Sequence, residues 1–427
     1  MFIGRWTVCF FRQAGVKAVK VSGGPADSRQ ERDSITTNLK QRNLQKFFVQ
    51  ICCVQSMKRS LLLFLLLSLV QQSLGQCQMF MCHLHAWSTK ASKVTTSDID
   101  VNLCHYIIIS FAEYINDEFF QHQRVRDTYS WMSTAKRQNS RLKFVLNFFS
   151  YVGEEKFYEM YKTPTKRSSL IQSIIQSLRN NGFDGLALQL AAGIGTTEPE
   201  DYDRKLYADF LEAIRNAVDE EAKKTGKPGL MLFMYFSQTP RNLAKYFDVP
   251  RVYRYMDFVI IHGFLYYEIY VGPSEGIDIV QGHTNRIYSL DPEDDRSLDY
   301  DVKKILKLGG IKSKTIIGYN IMAAYYVVYS SSSTLYRGYK IDDYSTVCEA
   351  ISKGGTVQRI PEGAPYLIDG DYLIYYDDET SVLDKVKYVK RNGFVGVYIS
   401  DLSADDYKKG NCGKGKFPLI RAMYEFC

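Results

Sequence analysis

Apolar positions along the chain fall into two alternating rhythms. Short, nearly continuous apolar runs read as buried strands: HYIIISFA (105–112), LKFVLNFF (142–149), FDGLALQL (183–190), GLMLFMYF (229–236), MDFVIIHGF (256–264), KTIIGYNI (314–321) and GFVGVYIS (393–400). Between them lie stretches of helical period. Leu170, Ile171, Ile174, Ile175 and Leu178 share one face of a helix that Gly182 is placed to end. Leu206, Phe210, Ile214 and Val218 recur every four residues, and DVKKILKLGG (301–310) is a further helix with a glycine stop. Strands that are apolar throughout, separated by amphipathic helices, imply a parallel sheet covered by helices. Over ~350 residues the economical closure is an α/β fold of the (β/α)8 TIM-barrel type. From 324 to 380 the rhythm breaks into short alternating pieces rich in Tyr, Ser and Gly, such as YLIDGDYLIYYDD. This predicts a small α+β insertion between two barrel strands.

Composition narrows the class. With 45% apolar and 24% charged residues the chain has the make-up of a soluble globular protein. The net charge of +7 points to nucleic acid only until it is divided. Met1–Gly75 carries 11 basic and 3 acidic residues, the remainder 43 and 44. The large domain is almost neutral, which gives nucleic-acid binding no support. The basic excess has a local meaning at Met57. MKRSLLLFLLLSLVQQSLGQ has a basic start, an apolar run from Leu61 to Val70 too short to span a membrane, and small residues at Ser73 and Gly75. That is the make-up of a secretory signal peptide over 57–75. Residues 1–56 are polar and lack apolar periodicity; they are expected either to precede the true start at Met57 or to form a disordered extension. The mature chain, 76–427, holds Cys77, Cys82, Cys104, Cys348, Cys412 and Cys427, an even number that an oxidising compartment would pair in one of fifteen ways. A secreted, extracellular monomer without a membrane span is expected.

One strand end poses the chemical question. NNGFDGLALQLAAG (180–193) enters a strand through a tight turn and leaves it at a glycine-containing loop, the end at which barrel enzymes keep acids and bases. Positions 187, 189 and 191 share a face, and they are Ala187, Gln189 and Ala191. Glu198, Glu200 and Asp201 follow, and read as a solvated loop and helix start.

From about Cys82 to Leu419 the order of motifs resembles the family 18 glycoside hydrolases, the chitinases, and their inactive relatives. CHLHAW followed by VNLCHYIIISFA is similar to the family's opening strands with their Cys–Cys bridge, and NNGFDGLALQL to its Asp-Gly-x-Asp-x-Asp-x-Glu signature. MDFVIIHGF resembles the strand that ends Met-x-Tyr-Asp; GHTNRIYSL, KSKTIIGYN and the stretch YYDDETSVLDKVKYVKRNGFVGVYISDLS resemble its later turn and last strands. The family's reaction is assisted by the sugar's own N-acetyl group: one protein acid protonates the leaving oxygen and a second carboxylate orients the acetamido group. Matched to the signature, Asp184 keeps the first position, Ala187 and Gln189 stand for the inner aspartates, and Ala191 stands for the acid. Phe264 and Leu265 stand for the Tyr-Asp pair, His262 for the Met, and Ser400 for the Trp beneath the reacting sugar. Ile109 stands for a Tyr, and Phe149, Ser150 and Tyr151 stand where small glycines and a Trp belong. Asp184, beside Gly185, reads as a structural turn residue.

The resemblance thus implies a chitinase-like protein with no catalytic residue, no cofactor and no metal. Phe111, Tyr151, Gln189, His262, Phe264 and Ser400 form the candidate ligand cleft, for a chitooligosaccharide or another glycan. Loss of the stacking Trp at Ser400 weighs against chitin. The Tyr-rich run 323–344 is either a surface for an extracellular protein partner, as in a growth factor, or a β insertion that uses Tyr for strand propensity. An active hydrolase of an unusual substrate, with a relocated acid, is the alternative. The resemblance also implies disulfides Cys82–Cys104 and Cys348–Cys412, which leaves Cys77 with Cys427. His83 and His85 could share a strand face, but two ligands are too few for a metal.

Overall fold

The computed structural model describes residues 77–85, 94–115, 118–151, 155–191, 204–236, 240–264, 283, 285–289, 296–328, 336–361, 363–408 and 410–427. These fall in the unit that runs from Gly75 to Cys427. The expected signal segment and the extension before it lie outside the described residues, as do Leu265, Glu198, Glu200 and Asp201.

Eight strands make the barrel: β1 (Met79–His85), β2 (Tyr106–Ile115), β4 (Lys143–Tyr151), β5 (Gly185–Ala191), β6 (Met231–Phe236), β7 (Phe258–His262), β8 (Thr315–Tyr319) and β14 (Gly396–Ile399). They pair in parallel in the order β1-β14-β8-β7-β6-β5-β4-β2, and β1 pairs with β2 to close the ring. The strand β3 (Glu118–Gln121) folds back antiparallel on β2, an addition the apolar runs do not announce. The strands are apolar on both sides because both sides are covered. One set of alternate residues meets the helices. The other fills the barrel with Met79, Met81, Ile108, Val145, Ala187, Phe233, Ile260 and Ile316.

The helices form where the four-residue spacing places them. Helix Pro164–Asn181 begins with its proline in the first turn, buries Leu170, Ile171, Ile174 and Leu178, and ends at Gly182, whose φ of 76° suits glycine. Helix Arg204–Thr225 buries Tyr207, Phe210, Leu211, Ile214 and Val218. Between β8 and β14 lies the insertion, a five-stranded antiparallel sheet of β9 (Ala323–Val328), β10 (Tyr336–Asp342), β11 (Thr356–Arg359), β12 (Pro365–Asp369) and β13 (Tyr372–Tyr375), in the order β10-β9-β13-β12-β11. One face, with Tyr325, Leu367 and Ile374, packs on Val347 and Ala350 of helix Tyr344–Ser352.

Three disulfides brace this frame: Cys82–Cys104, Cys348–Cys412 and Cys77–Cys427. At the last, the Cys77 amide also donates to the Cys427 carbonyl at 2.6 Å. Where the insertion returns to the barrel, Lys385 and Asp377 form an ion pair with side chains 3% and 0% exposed. Ser381 Oγ donates to the same carboxylate at 2.7 Å, and the Lys385 ammonium lies over the Tyr319 ring.

A second buried carboxyl sets a pH dependence. Burial pushes Asp405 up to about 7, although the amides of Ile420 and Asp406 donate to it. The folded state therefore holds this proton better than the unfolded chain. The stabilisation is complete below the ordinary carboxylate pKa and is lost as pH rises through about 7. Across that window Asp405→Asn should melt with a flatter pH trend than the parent; parallel trends would clear Asp405 of the effect.

Candidate functional site

The site begins below the cleft, at the turn into β5. A side chain at Gly185 would put its Cβ 2.5 Å from the Met231 carbonyl oxygen, so glycine is what lets β5 lie against β6. Beside it, the Asp184 carboxylate accepts from the Phe144 amide at 2.8 Å and pairs with Lys136 at 2.7 Å and Lys143 at 3.5 Å. These bonds fasten the start of β5 to β4, at the opposite end of the strand from the cleft. Asp184→Ala should lower unfolding free energy by about 1–3 kcal/mol, chiefly by stranding the Phe144 amide. Urea denaturation measures this, and glycan affinity should not move with it.

Two residues further along the strands the apolar interior turns polar. Ile108 is followed by Ser110, Val145 by Asn147, Ala187 by Gln189, Phe233 by Tyr235 and Ile260 by His262. β1 contributes His83 and His85, β14 contributes Tyr398, and β8 contributes only Gly318. A Cβ on Gly318 would meet the Tyr398 ring at 2.9 Å, so the glycine makes room for that tyrosine.

Hydrogen bonds run round this layer. His83 Nδ1 bonds the Tyr398 hydroxyl at 2.6 Å, and its Nε2 bonds Ser110 Oγ. Asn147 Nδ2 donates to Gln189 Oε1 at 2.8 Å. His85 Nε2 bonds the Ser400 carbonyl at 2.8 Å, and the rings of His83 and His85 stack with centroids 3.9 Å apart. Among the described residues, four buried polar atoms of this layer and its rim have no hydrogen-bond partner in the protein: His262 Nε2, Asn147 Oδ1, the Tyr235 hydroxyl and Ser400 Oγ.

Burial keeps His83 and His262 neutral. His83 lies well below the ordinary histidine range, through desolvation first and then the neighbouring His85 and His262. His262 falls to about 3, through desolvation and then His85. Neither is a proton donor near neutrality.

The structure brings several of the candidate positions together. His262 stacks on Phe264 at 4.7 Å, and its ring lies 6.2 Å from that of Tyr398. Ser400 sits at the end of β14 against His85. Phe111 packs with His122 at 4.6 Å and Phe149 at 5.8 Å. Tyr151 pairs with Ala191 at the ends of β4 and β5. Ala187 is wholly buried inside the barrel. In the Tyr-rich run, Tyr325 and Tyr326 are core residues, 9% and 1% exposed. Ser110, Asn147, Tyr235 and Tyr398 were not among the candidates. Their signal was available: a lone polar residue or tyrosine two positions beyond an inward apolar one. Among the described residues no three His, Cys, Asp or Glu side chains gather as a metal site would need, and no helix is long and apolar enough to cross a membrane.

The sequence model described as Glycosyl hydrolases family 18 matches residues 79–405. Mouse oviduct-specific glycoprotein is 28% identical over 393 residues, which is 86% of this chain and 53% of that protein, so the chain spans about half its length. Mouse chitotriosidase-1 is 24% identical over 377 residues, 84% of this chain and 80% of that one. Among solved structures, human YKL-39, described as a pseudo-chitinase with retained chitooligosaccharide binding properties, matches at a TM-score of 0.70 and 22% identity, over 82% of this chain and 99% of that one. The Group IV chitinase of Ostrinia furnacalis matches at 0.72 and 20%, over the same shares. At these identities the structural likeness speaks for the fold.

Proposed function

The chain belongs to glycosyl hydrolase family 18, and from that premise we propose that it is a secreted, non-hydrolytic member whose cleft binds a glycan. One observation carries the reading: at the cleft end of β5 the sequence has Gln189 and Ala191, and neither residue type can protonate a leaving oxygen. An acetamido group turning into an oxazolinium ion would also meet an amide at Gln189, already engaged by Asn147, where the chemistry calls for negative charge. Phe264 offers no hydroxyl, and the neighbouring imidazoles are held neutral by burial.

What persists is a polar floor under a barrel mouth, with Phe264, Phe111 and Phe149 as ring surfaces. That composition suits a sugar better than an apolar ligand. YKL-39 is a precedent for a relative that binds chitooligosaccharides without being a chitinase. Three disulfides and the signal-like segment at Met57 support an extracellular setting. A protein-binding role is the second reading, favoured by exposed apolar residues on the insertion: Ile341, Val357, Ile368 and Tyr372.

Incubation with chitooligosaccharides should release no new reducing ends, while calorimetric titration with them or with other glycans gives saturable heat. Turnover that survives purification and follows the protein's own elution profile would refute the non-hydrolytic reading. Silence towards every glycan would move the search to the insertion.

A further inference from the structure

We propose that the outer wall of the barrel carries a second glycan site: a groove between β3 and helix Pro164–Asn181 that takes a neutral oligosaccharide against the exposed ring of Phe120. The site is separate from the cleft and does not depend on how the cleft is read.

Three observations lead there. First, the groove is a built feature. It holds about 420 Å3, within the range of small-ligand sites. β3 and the helix are tied to each other beside it: Gln121 Nε2 donates to Ser177 Oγ at 2.6 Å, and the Tyr129 hydroxyl donates to Gln121 Oε1. Arg126 donates to the Gln121 carbonyl at 2.6 Å and lies 5.8 Å from the centre of the Phe120 ring. Walls braced in this way leave little to be ordered when a ligand arrives.

Second, the lining suits a polyol. Phe119, Phe120 and Tyr129 supply rings, and Phe120 is 40% exposed. Ser173, Gln176 and Asn180 line the helix side, and no hydrogen bond joins their side chains to another described residue. A carboxamide offers donors and an acceptor, and a hydroxyl offers both roles, which matches the hydroxyls of a sugar; an aromatic face takes the sugar's C–H side. Among the described residues of the lining none carries a carboxylate or an ammonium. The guanidinium of Arg126 is already engaged by Gln121 and Gln123. On β2, the Glu113 carboxylate is bonded to His122 at 3.1 Å.

Third, the solvent face of this helix lacks the charges that such a face ordinarily carries. Helix Arg204–Thr225 has them, exposing Lys205, Asp219, Glu220, Lys223 and Lys224. On helix Pro164–Asn181 every exposed residue from Ser168 to Asn180 is a serine, glutamine or asparagine. Ser173, Gln176 and Asn180 follow one another at three and four residues, so they form a single row along the groove.

Photo-crosslinking of the intact mature chain with diazirine-bearing N-acetylated chitotetraose and with diazirine-bearing mannotetraose, followed by peptide mapping, reads the site directly. At least one probe is expected to label peptides within 118–129 and 168–181 saturably, with unlabelled sugar competing. Phe120→Ala should raise the half-maximal concentration there about tenfold, and Gln176→Leu should weaken the labelling as well. Both positions are exposed, so the melting temperature should hold. Between about 0.05 and 0.5 M salt the half-maximal concentration should change less than about twofold, because the ligand is uncharged. Labelling of the groove by a sulfated chitotetraose only, lost at the higher salt, assigns it to an anion at Arg126 and overturns the inference. Labelling confined to the barrel mouth also overturns it and leaves the cleft reading standing. Labelling of the groove alone upholds it and removes the cleft as a glycan site. Labelling nowhere overturns both.

Discussion

Lys385→Met should destabilise the domain by about 3–5 kcal/mol, the cost of leaving a buried charge without its partner. Asp377 is 0% exposed, and Lys385 draws its pKa below the ordinary carboxylate value against the opposing effect of desolvation. Remove the ammonium and the carboxylate keeps the Ser381 hydroxyl and a long contact of 3.4 Å from Asn285 Nδ2, neither of which carries charge. Urea denaturation reads the loss as a lower midpoint at unchanged slope. The double variant Asp377→Leu with Lys385→Met should recover most of it, because two apolar groups can replace a pair that neither alone can. A single variant within about 0.5 kcal/mol of the parent would mean that the pair is not desolvated in solution.

Opening Cys77–Cys427 should have an effect of similar size. The bond closes a loop of 350 residues, whereas Cys82–Cys104 closes 22. On the chain-entropy account, losing the long loop costs about 2 kcal/mol more than losing the short one, within a total of about 2–5 kcal/mol. Serine replacement of both cysteines in each bridge, melted side by side under non-reducing conditions, makes the comparison. Equal losses would put the stabilisation in local packing at the bridges and not in the unfolded chain.

The barrel was legible because its strands are buried on two sides, which writes them as unbroken apolar runs. All seven runs named from the sequence overlap barrel strands, and the first strand was carried by CHLHAW. β3 left no such mark, because Glu118–Gln121 is a short hairpin strand with exposed and half-exposed residues. The end of β5 was also legible, since the absence of a carboxylate at Ala187, Gln189 and Ala191 is a fact of residue type. The polar floor was not. Ser110 and Asn147 stand alone inside apolar runs, where a sequence reads them as tolerated exceptions. Only the closed ring shows that Ser110 bonds His83 of β1 and that Asn147 bonds Gln189 of β5. His83 and His85 illustrate the limit: weighed as a metal pair they led nowhere, and their partners are a tyrosine 315 residues away in the chain and a backbone carbonyl.

The bridge between Cys77 and Cys427 has a mechanical corollary. With the two residues covalently joined, a tension applied across them is borne by a single sulfur–sulfur bond, and the strands between carry none of it. Tethered by these positions, the oxidised barrel would behave as a rigid bead, and only after reduction could a pulling force begin to peel β1 away from β14.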